Sequence, residues 1–345
     1  MMSSDQTAQT RKLQKVGGST YTVSIPKHWA CDQGLEAGTD VHLYAHDDGS
    51  LVVRSREHDG GALERVAAEV DGTGNDAEAG SATVERPLKA AYAAGFEEIE
   101  LVSPDGFTAT QSRTVTSLAK TLVGAEVVET DDDRILVRNL LDPGDVSVQQ
   151  SLIQLQFVTL SMHRAATAAV TSADTATHVP GRDDEADRLF AMITRHFERS
   201  LTDFSEVDRL GVDRPALFEY YATARQLERV GDHAVTVAEV AEQLDEPVGG
   251  DVGEAFETVA DGAREVVENA TDAVIGEGSL ATAERTLDRR DKVVADAEAV
   301  DRTLFERRPP DAYHLTGALD AIVRTAECGG NVAELAVQSA LRRQA

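Results

Sequence analysis

The fold is decided by residues 225–239, RQLERVGDHAVTVAE, in the second half of the chain. Their apolar residues recur every three to four positions, which predicts an amphipathic helix. At about 100° per residue, Glu228, Asp232 and Glu239 lie within about 40° of one another around that helix, with Arg225 beside them. We call these three acids the first acidic stripe. Like charges on one helix face repel each other, so the stripe needs a cation, a basic partner or solvent.

The same pattern recurs 99 residues further on. The residues that repeat are Ala222, Arg225, Glu228, Gly231, Ala234 and Ala241, which fall on Ala321, Arg324, Glu327, Gly330, Ala333 and Ala340. Glu327 and Asn331 therefore form the core of a second stripe. The helix before each stripe also carries an aspartate at a repeated position, Asp187 in the first copy and Asp291 in the second.

Long helical periodicity starts near residue 147 and is interrupted at 171–183, 208–214, 244–253, 276–279 and 307–313. The interruptions leave six helices, and the repeat arranges them as two tandem three-helix bundles, at 147–247 and 251–345. A glycine inside a helix costs about 1 kcal/mol relative to alanine, so the repeated Gly231 and Gly330 indicate close helix approach.

Two smaller domains precede the helices. Residues 62–142 alternate strand and helix patterns around a polar linker or loop at 71–82, and they predict a small α+β module to which we assign no chemistry. Residues 8–58 predict four short strands, with a turn at Asp48-Gly49 and a short helix opened by Pro26. Such a domain has too little core for a stable monomer, so it is expected to pair with a second copy.

Charge is distributed unevenly along the chain. The 61 acidic and 33 basic residues leave a formal net charge of −28, which repels phosphate backbones and is typical of a halophilic protein. Residues 1–30 are the exception, because they hold four basic residues against Asp5: Arg11, Lys12, Lys15 and Lys27. Any direct contact with nucleic acid is therefore expected at the start of the chain.

Several classes of protein are excluded or disfavoured. No apolar run is long enough for a membrane span, and the start carries no signal peptide, so a cytoplasmic location is predicted. Cys31 and Cys328 cannot form a disulfide framework or a four-thiolate zinc site. The chain has no G-x-S-x-G, no Walker A sequence and no dinucleotide fingerprint. We therefore predict no catalytic residues and no enzymatic activity.

The acidic stripes are the candidate metal site. Carboxylate and carbonyl oxygens suit iron, manganese or magnesium before zinc. Solvent is an open alternative, because so acidic a chain produces carboxylate stripes by chance. His233 points about 100° away from Asp232 and is predicted to be a surface residue. No cofactor other than the metal is expected, and the candidate ligands are Glu228, Asp232, Glu239, Glu327, Asn331, Asp187 and Asp291.

The beginning of the chain resembles the AbrB/SpoVT-type swapped-hairpin DNA-binding domain. The resemblance rests on GGSTYTVSIPKHWA at 17–30, GLEAGTDV at 34–41 and DDGSLVV at 47–53. It implies that two chains interleave their hairpins into one barrel-like fold. It also implies that Arg11, Lys12, Lys15 and Lys27 contact DNA, whereas a domain that only dimerises is the alternative.

Residues 147–345 resemble a PhoU-type tandem three-helix domain, and RQLERVGDHAVTVAE is the most specific match. The resemblance implies a metal cluster on an E-x-x-x-D stripe and control of phosphate uptake through the phosphate transporter and its sensor kinase. Glu228 and Asp232 match that stripe. Asn331 stands where the second copy is expected to have aspartate, which removes one ligand charge there.

The two resemblances together are similar to archaeal PhoU/AbrB fusion regulators. They lead to the hypothesis of a cytoplasmic, homodimeric, DNA-binding regulator of phosphate homeostasis. A second hypothesis is an adaptor that docks on a transporter or sensor kinase, with the N-terminal domain serving only to dimerise. A carboxylate-bridged metalloenzyme is the third, and the absence of any Glu-x-x-His disfavours a ferritin-like di-iron site.

Overall fold

The computed structural model describes residues 10–18, 20–45, 49–54, 63–70, 77–172, 179–276 and 278–344. Asp48 of the predicted turn and residues 71–76 of the predicted linker lie outside these ranges. The chain divides into two compact units, residues 1–59 and residues 60–345. Each unit is described by itself below.

The first unit consists of two β-hairpins and a short helix. Strand β1 (Gln14–Val16) pairs antiparallel with β2 (Thr20–Thr22), and β3 (His42–Ala45) pairs antiparallel with β4 (Leu51–Arg54). Helix α1 (Lys27–Asp32) lies between the hairpins in sequence, directly after Pro26. This confirms the small β domain. None of the unit's described residues is buried, so the described part of one chain provides no core for this unit.

The second unit begins with the small α+β module, which is also confirmed. Its elements are β5 (Arg65–Glu69), α2 (Ala77–Ala93), β6 (Glu98–Val102), α3 (Ala109–Thr121), β7 (Ala125–Thr130) and β8 (Arg134–Asn139). The sheet order is β5-β6-β8-β7, and only β5 and β6 run parallel. Residues 77–82 belong to α2, so the predicted linker is wrong over that part.

The sheet of the module is apolar on the side that meets its helices and charged elsewhere. Leu101 and Ile135 of the sheet share a buried core with Val84 and Leu88 of α2 and Val115 of α3. Ion pairs connect strand residues on the other face of the sheet: Arg65 with Glu100, Arg134 with Glu100, and Arg138 with Glu98. The alternation along each strand produces this division, because successive side chains point to opposite faces.

The rest of the second unit is helical, as the periodicity predicts. The described helices are α4 (Val148–Thr171), α5 (Val179–Thr202), α6 (Phe204–Leu210), α7 (Arg214–Glu242), α8 (Gly250–Ile275), α9 (Leu280–Arg307) and α10 (Ala312–Arg342). Helices α4, α5 and α7 pack together, and so do α8, α9 and α10. Contacts of α7 with α10 and of α4 with α8 join the two sets through one continuous apolar core.

The short helix α6 overlaps the break predicted at 208–214, which is therefore wrong over residues 208–210. Asp203 opens it by accepting a hydrogen bond from the backbone N–H of Ser205, 2.9 Å away. Gly211 ends it with a φ of 64°, a left-handed conformation that glycine adopts without steric cost.

A close backbone approach in the second set lies one residue away from the predicted position. A Cβ on Gly329 of α10 would lie 2.8 Å from the backbone nitrogen of Val267 on α8. At Gly330 the nearest atoms belong to a flexible side chain, that of Arg290. Gly329 is therefore the glycine that lets the backbones of α8 and α10 approach each other.

Two buried arginines of α5 hold the α+β module against the helices. Arg195 donates to the carbonyl oxygens of Tyr92 (3.0 Å) and Phe96 (2.8 Å), and Arg199 donates to that of Gly95 (2.8 Å). These carbonyls lie in the last turn of α2 and directly after it, where a cation is favourable because backbone oxygens at a helix C-terminus lack helical partners. The module therefore has a defined position on α5.

Within the described residues, no helix is long and apolar enough to cross a membrane.

Candidate functional site

Four carboxylates from α5 and α7 come together on one side of the first helical set, where Asp187 and Asp232 are exposed and Asp183 and Glu228 are half-buried. Asp183 and Asp187 are one turn apart on α5, and Glu228 and Asp232 are one turn apart on α7. Gly231 faces α5, but a Cβ there would make only ordinary van der Waals contact, 3.7 Å from Oδ1 of Asp183, so the close helix approach predicted at Gly231 is wrong. We call these four residues the carboxylate cluster.

The cluster carries uncompensated negative charge. Partial burial, together with the charges of Asp232 and Asp187, raises the pKa of Glu228 to about 7. Burial also raises the pKa of Asp183 to about 6, with added repulsion from Asp187 and Asp232. The pKa values of Asp187 and Asp232 are raised as well, in both cases mainly by burial. A protonated carboxyl or a bound cation would relieve this repulsion.

The basic side chains near the cluster lie at its edge. Arg225 and Arg229 of α7 lower the pKa of Glu228, but burial and the neighbouring carboxylates outweigh them. Lys89 of α2 places its Nζ 3.9 Å from Oδ2 of Asp187, and about half of each side chain is exposed. Screening by solvent makes such an exposed pair weak, so Lys89 does not neutralise the cluster.

The structure brings together three of the predicted first-site residues and adds a fourth. Asp187, Glu228 and Asp232 share the cluster, whereas Asp183 was not predicted. The signal for Asp183 was its position one turn before Asp187, which places both carboxylates on one face of α5. Glu239 is exposed and lies about 16 Å further along α7 than Glu228, so it is outside the cluster.

Within the part of the chain that the structure describes, the second stripe has no equivalent cluster. Asp291 accepts a hydrogen bond from Nε of Arg290 at 2.6 Å, and Asn331 donates through Nδ2 to Oε1 of Gln226 on α7 at 3.1 Å. Glu327 is exposed. Helix α9 thus contributes the guanidinium of Arg290 beside the second stripe, whereas α5 contributes carboxylates beside the first.

Two histidines near the stripes lie between helices. His233 is half-buried, and its Nδ1 is 3.5 Å from Oγ1 of Thr325 on α10. The prediction of a surface histidine is therefore wrong, because α10 packs on that side of α7. His163 of α4 is fully buried, and Nη1 of Arg264 on α8 is 3.1 Å from its Nδ1. Burial, together with the charge of Arg264, lowers the pKa of His163 to about 3.

The donor chemistry of the cluster suits a hard or borderline cation, but the side chains do not form a complete metal centre. Among the described residues, no group of three or more His, Cys, Asp and Glu side chains is arranged to hold a metal ion. A cation there would need the carboxylates to adopt other rotamers. The cluster also contains no nucleophile paired with a base, which gives no support to hydrolytic chemistry.

The predicted DNA-contacting residues belong to the first unit, and all four are exposed. Lys15 lies in β1, directly opposite Tyr21 of β2. Lys27 is the first residue of α1. Arg11 and Lys12 precede β1. The four basic side chains are thus available at the surface of the first unit.

Comparison with known families assigns two segments of the chain. Residues 152–241 match the PhoU domain, and residues 14–60 match the family described as antidote-toxin recognition MazE, bacterial antitoxin. No curated protein matches the chain. The PhoU match includes both helices that carry the carboxylate cluster.

Solved structures of PhoU proteins are similar to the helical region. PhoU from Pseudomonas aeruginosa is 20% identical and has a TM-score of 0.48; the match covers 57% of this chain and 96% of that one. The phosphate transport system regulatory protein PhoU from Streptococcus pneumoniae is 15% identical, with a TM-score of 0.42 and coverage of 56% and 92%. From the family matches, this chain combines a PhoU domain with an N-terminal domain of the MazE/AbrB type.

Proposed function

We propose that this protein is a cytoplasmic, homodimeric regulator of phosphate uptake and homeostasis that acts at least partly by binding DNA. The observation that carries the proposal is the presence in one chain of a PhoU domain and a MazE/AbrB-type domain. The first domain type supports the link to phosphate control, and the second supports transcriptional regulation.

The homodimer is supported by the exposed apolar side chains of the first unit. None of the described residues of this unit is buried. Seven of its large apolar side chains are between 40% and 70% exposed: Leu13, Val16, Tyr21, Val23, Ile25, Leu43 and Leu51. Complete burial of one such side chain contributes about 1.5–3 kcal/mol. Pairing with a second copy supplies the missing core, since both copies carry the same apolar surface.

DNA binding by the first unit is supported by its charge. Its exposed basic residues contrast with a chain whose formal net charge is −28. Phosphate contacts made by lysine release counterions, so each lost contact weakens binding. We expect few such contacts here, and therefore a larger share of recognition through DNA shape and direct base contacts.

The test is a gel shift of the full-length protein on DNA from upstream of its own gene, in molar KCl. Lys15→Glu and Lys27→Glu are expected to weaken binding at least tenfold each. The matched control is Lys120→Glu, which makes the same charge change on the exposed side of α3 in the second unit. Equal binding by the three variants and the unchanged protein would remove the assignment of DNA binding to the first unit.

An adaptor that docks on a transporter or sensor kinase is the second candidate function. The PhoU match favours it, because it lies in the second unit and does not involve the basic residues. Affinity purification separates the two proposals: an adaptor is recovered with membranes, whereas a transcriptional regulator is recovered with genomic DNA. Dimerisation by the first unit is expected in both cases.

A further inference from the structure

Helices α2, α3 and α5 enclose a cleft of about 500 Å³ between the α+β module and the first helical set. This volume is within the range of small-molecule binding sites. The cleft lies beside the carboxylate cluster, because Asp187 lines it from α5. Nothing in the proposed regulatory function accounts for it.

The walls of the cleft are held in place by buried contacts. Nη1 of Arg195 donates to two carbonyls at the C-terminal end of α2, and its guanidinium also lies over the ring of Tyr92, 5.1 Å from the ring centroid. Arg199 is held in turn by buried Glu206, whose other oxygen is 2.6 Å from Nδ1 of His196. A wall fixed in this way needs little reorganisation when a ligand binds.

Charges of both signs line the cleft. Helix α2 contributes Glu85 and, one turn later, Lys89. Helix α5 repeats this order with Asp184 and Arg188. Together with Asp187, the lining has three acidic and two basic side chains, a formal net charge of −1.

The remaining lining provides hydrogen bonds and an apolar surface. Helix α3 presents three hydroxyls on one face, and Leu118, Leu122 and Phe190 contribute apolar surface. The hydroxyl residues are Thr114, Ser117 and Thr121. In addition, Oγ1 of Thr194 is buried, lines the cleft and has no hydrogen-bond partner among the described residues.

We propose that this cleft binds a small zwitterion of the α-amino-acid class. An ammonium group would be attracted to Glu85 and Asp184, and a carboxylate group to Arg188 and Lys89. A free phosphate ion would be repelled by the three carboxylates in the lining. A simple cation would leave Arg188 without a negatively charged group on the ligand. A zwitterion satisfies both signs of charge, while its side chain would contact the apolar surface around Phe190.

The test is isothermal titration of the full-length protein with each of the twenty common amino acids. At least one is expected to bind with one ligand per chain. Acetate and methylamine, which each carry one of the two charged groups, are expected to bind at least tenfold more weakly. Inorganic phosphate tests the anion alternative.

Variants place the ligand in the cleft. Arg188→Ala and Asp184→Asn are each expected to weaken binding of that amino acid at least tenfold. Lys120→Ala, which removes a positive charge from an exposed residue of α3 that does not line the cleft, is the control and is expected to leave binding unchanged. The proposal is overturned if no amino acid binds, if phosphate binds in their place, or if both cleft variants bind as the unchanged protein does.

Discussion

Arg290 of α9 lies against Gly330 of α10, with its Nη1 3.0 Å from the position that a Cβ on this glycine would occupy. At the repeat-related Gly231 of α7, an oxygen of Asp183 is 3.7 Å from the corresponding position. The first helical set therefore has a carboxylate where the second has a guanidinium. Because the second set supplies its own cation, we expect an external cation to bind only the first.

Metal binding is accordingly predicted to be limited to one site per chain. We propose that the carboxylate cluster binds iron, manganese or magnesium in preference to zinc. Protein incubated with Mn²⁺ and then desalted is expected to retain about one equivalent. Glu228→Gln and Asp232→Asn should each reduce this below a tenth of an equivalent, because each removes an oxygen charge from the cluster.

The matched control is Glu242→Gln, which alters an exposed acid at the end of α7, well away from the cluster. Elemental analysis of the purified proteins measures the metal content. Two equivalents per chain would contradict the asymmetry between the two helical sets. Less than a tenth of an equivalent in the unchanged protein would leave the cluster as a solvated acidic surface.

Metal-free protein is expected to be stabilised by Glu228→Gln at high pH. The folded pKa of Glu228, about 7, is above its unfolded value, so the folded state holds the proton more tightly. Ionisation of this group therefore lowers the free energy of unfolding as pH rises from about 4 to above 7. Urea unfolding in chelator should show the variant more stable by on the order of 1 kcal/mol at pH 8 and equal at pH 4. A difference that does not change with pH would contradict the prediction.

The stability contributed by His163 is expected to have the opposite pH dependence. Its folded pKa, about 3, is below the unfolded value, so the unfolded state takes up the proton first as pH falls. His163→Asn removes the titration and places an amide where the imidazole accepts from Arg264. Between pH 7 and pH 5, the unchanged protein should lose about 2 kcal/mol relative to the variant. Parallel pH profiles from chemical denaturation would show that His163 does not titrate in this way.

Alanine at two glycines is expected to have opposite effects. Gly329→Ala should destabilise the protein by about 2 kcal/mol or more, because the new Cβ would lie 2.8 Å from the backbone of α8. Gly231→Ala should be neutral or stabilise by up to about 1 kcal/mol, since the nearest atoms are 3.6 Å away and alanine favours the helix. Thermal unfolding of the two variants measures the difference. Equal losses would show that both glycines are required for close packing.

The order of elements was predictable because it depends on local patterns. Apolar periodicity of three to four residues identified the long helices, and alternation identified the strands of the α+β module. The start of α2 at Ala77 was missed, since the polar sequence before Val84 has the composition of a loop. The helix α6 was missed for a similar reason: its seven residues are too few to establish a period.

The sequence by itself determined the helical repeat, the first acidic stripe and the basic start of the chain, because each of these follows from spacing along one segment. Only the tertiary structure decided that Asp183 joins Asp187 beside α7, that Arg290 accompanies the second stripe, and that α2, α3 and α5 enclose a cleft. These features depend on which faces of different helices meet. That choice is made by packing the shared core, and spacing within a single helix does not encode it.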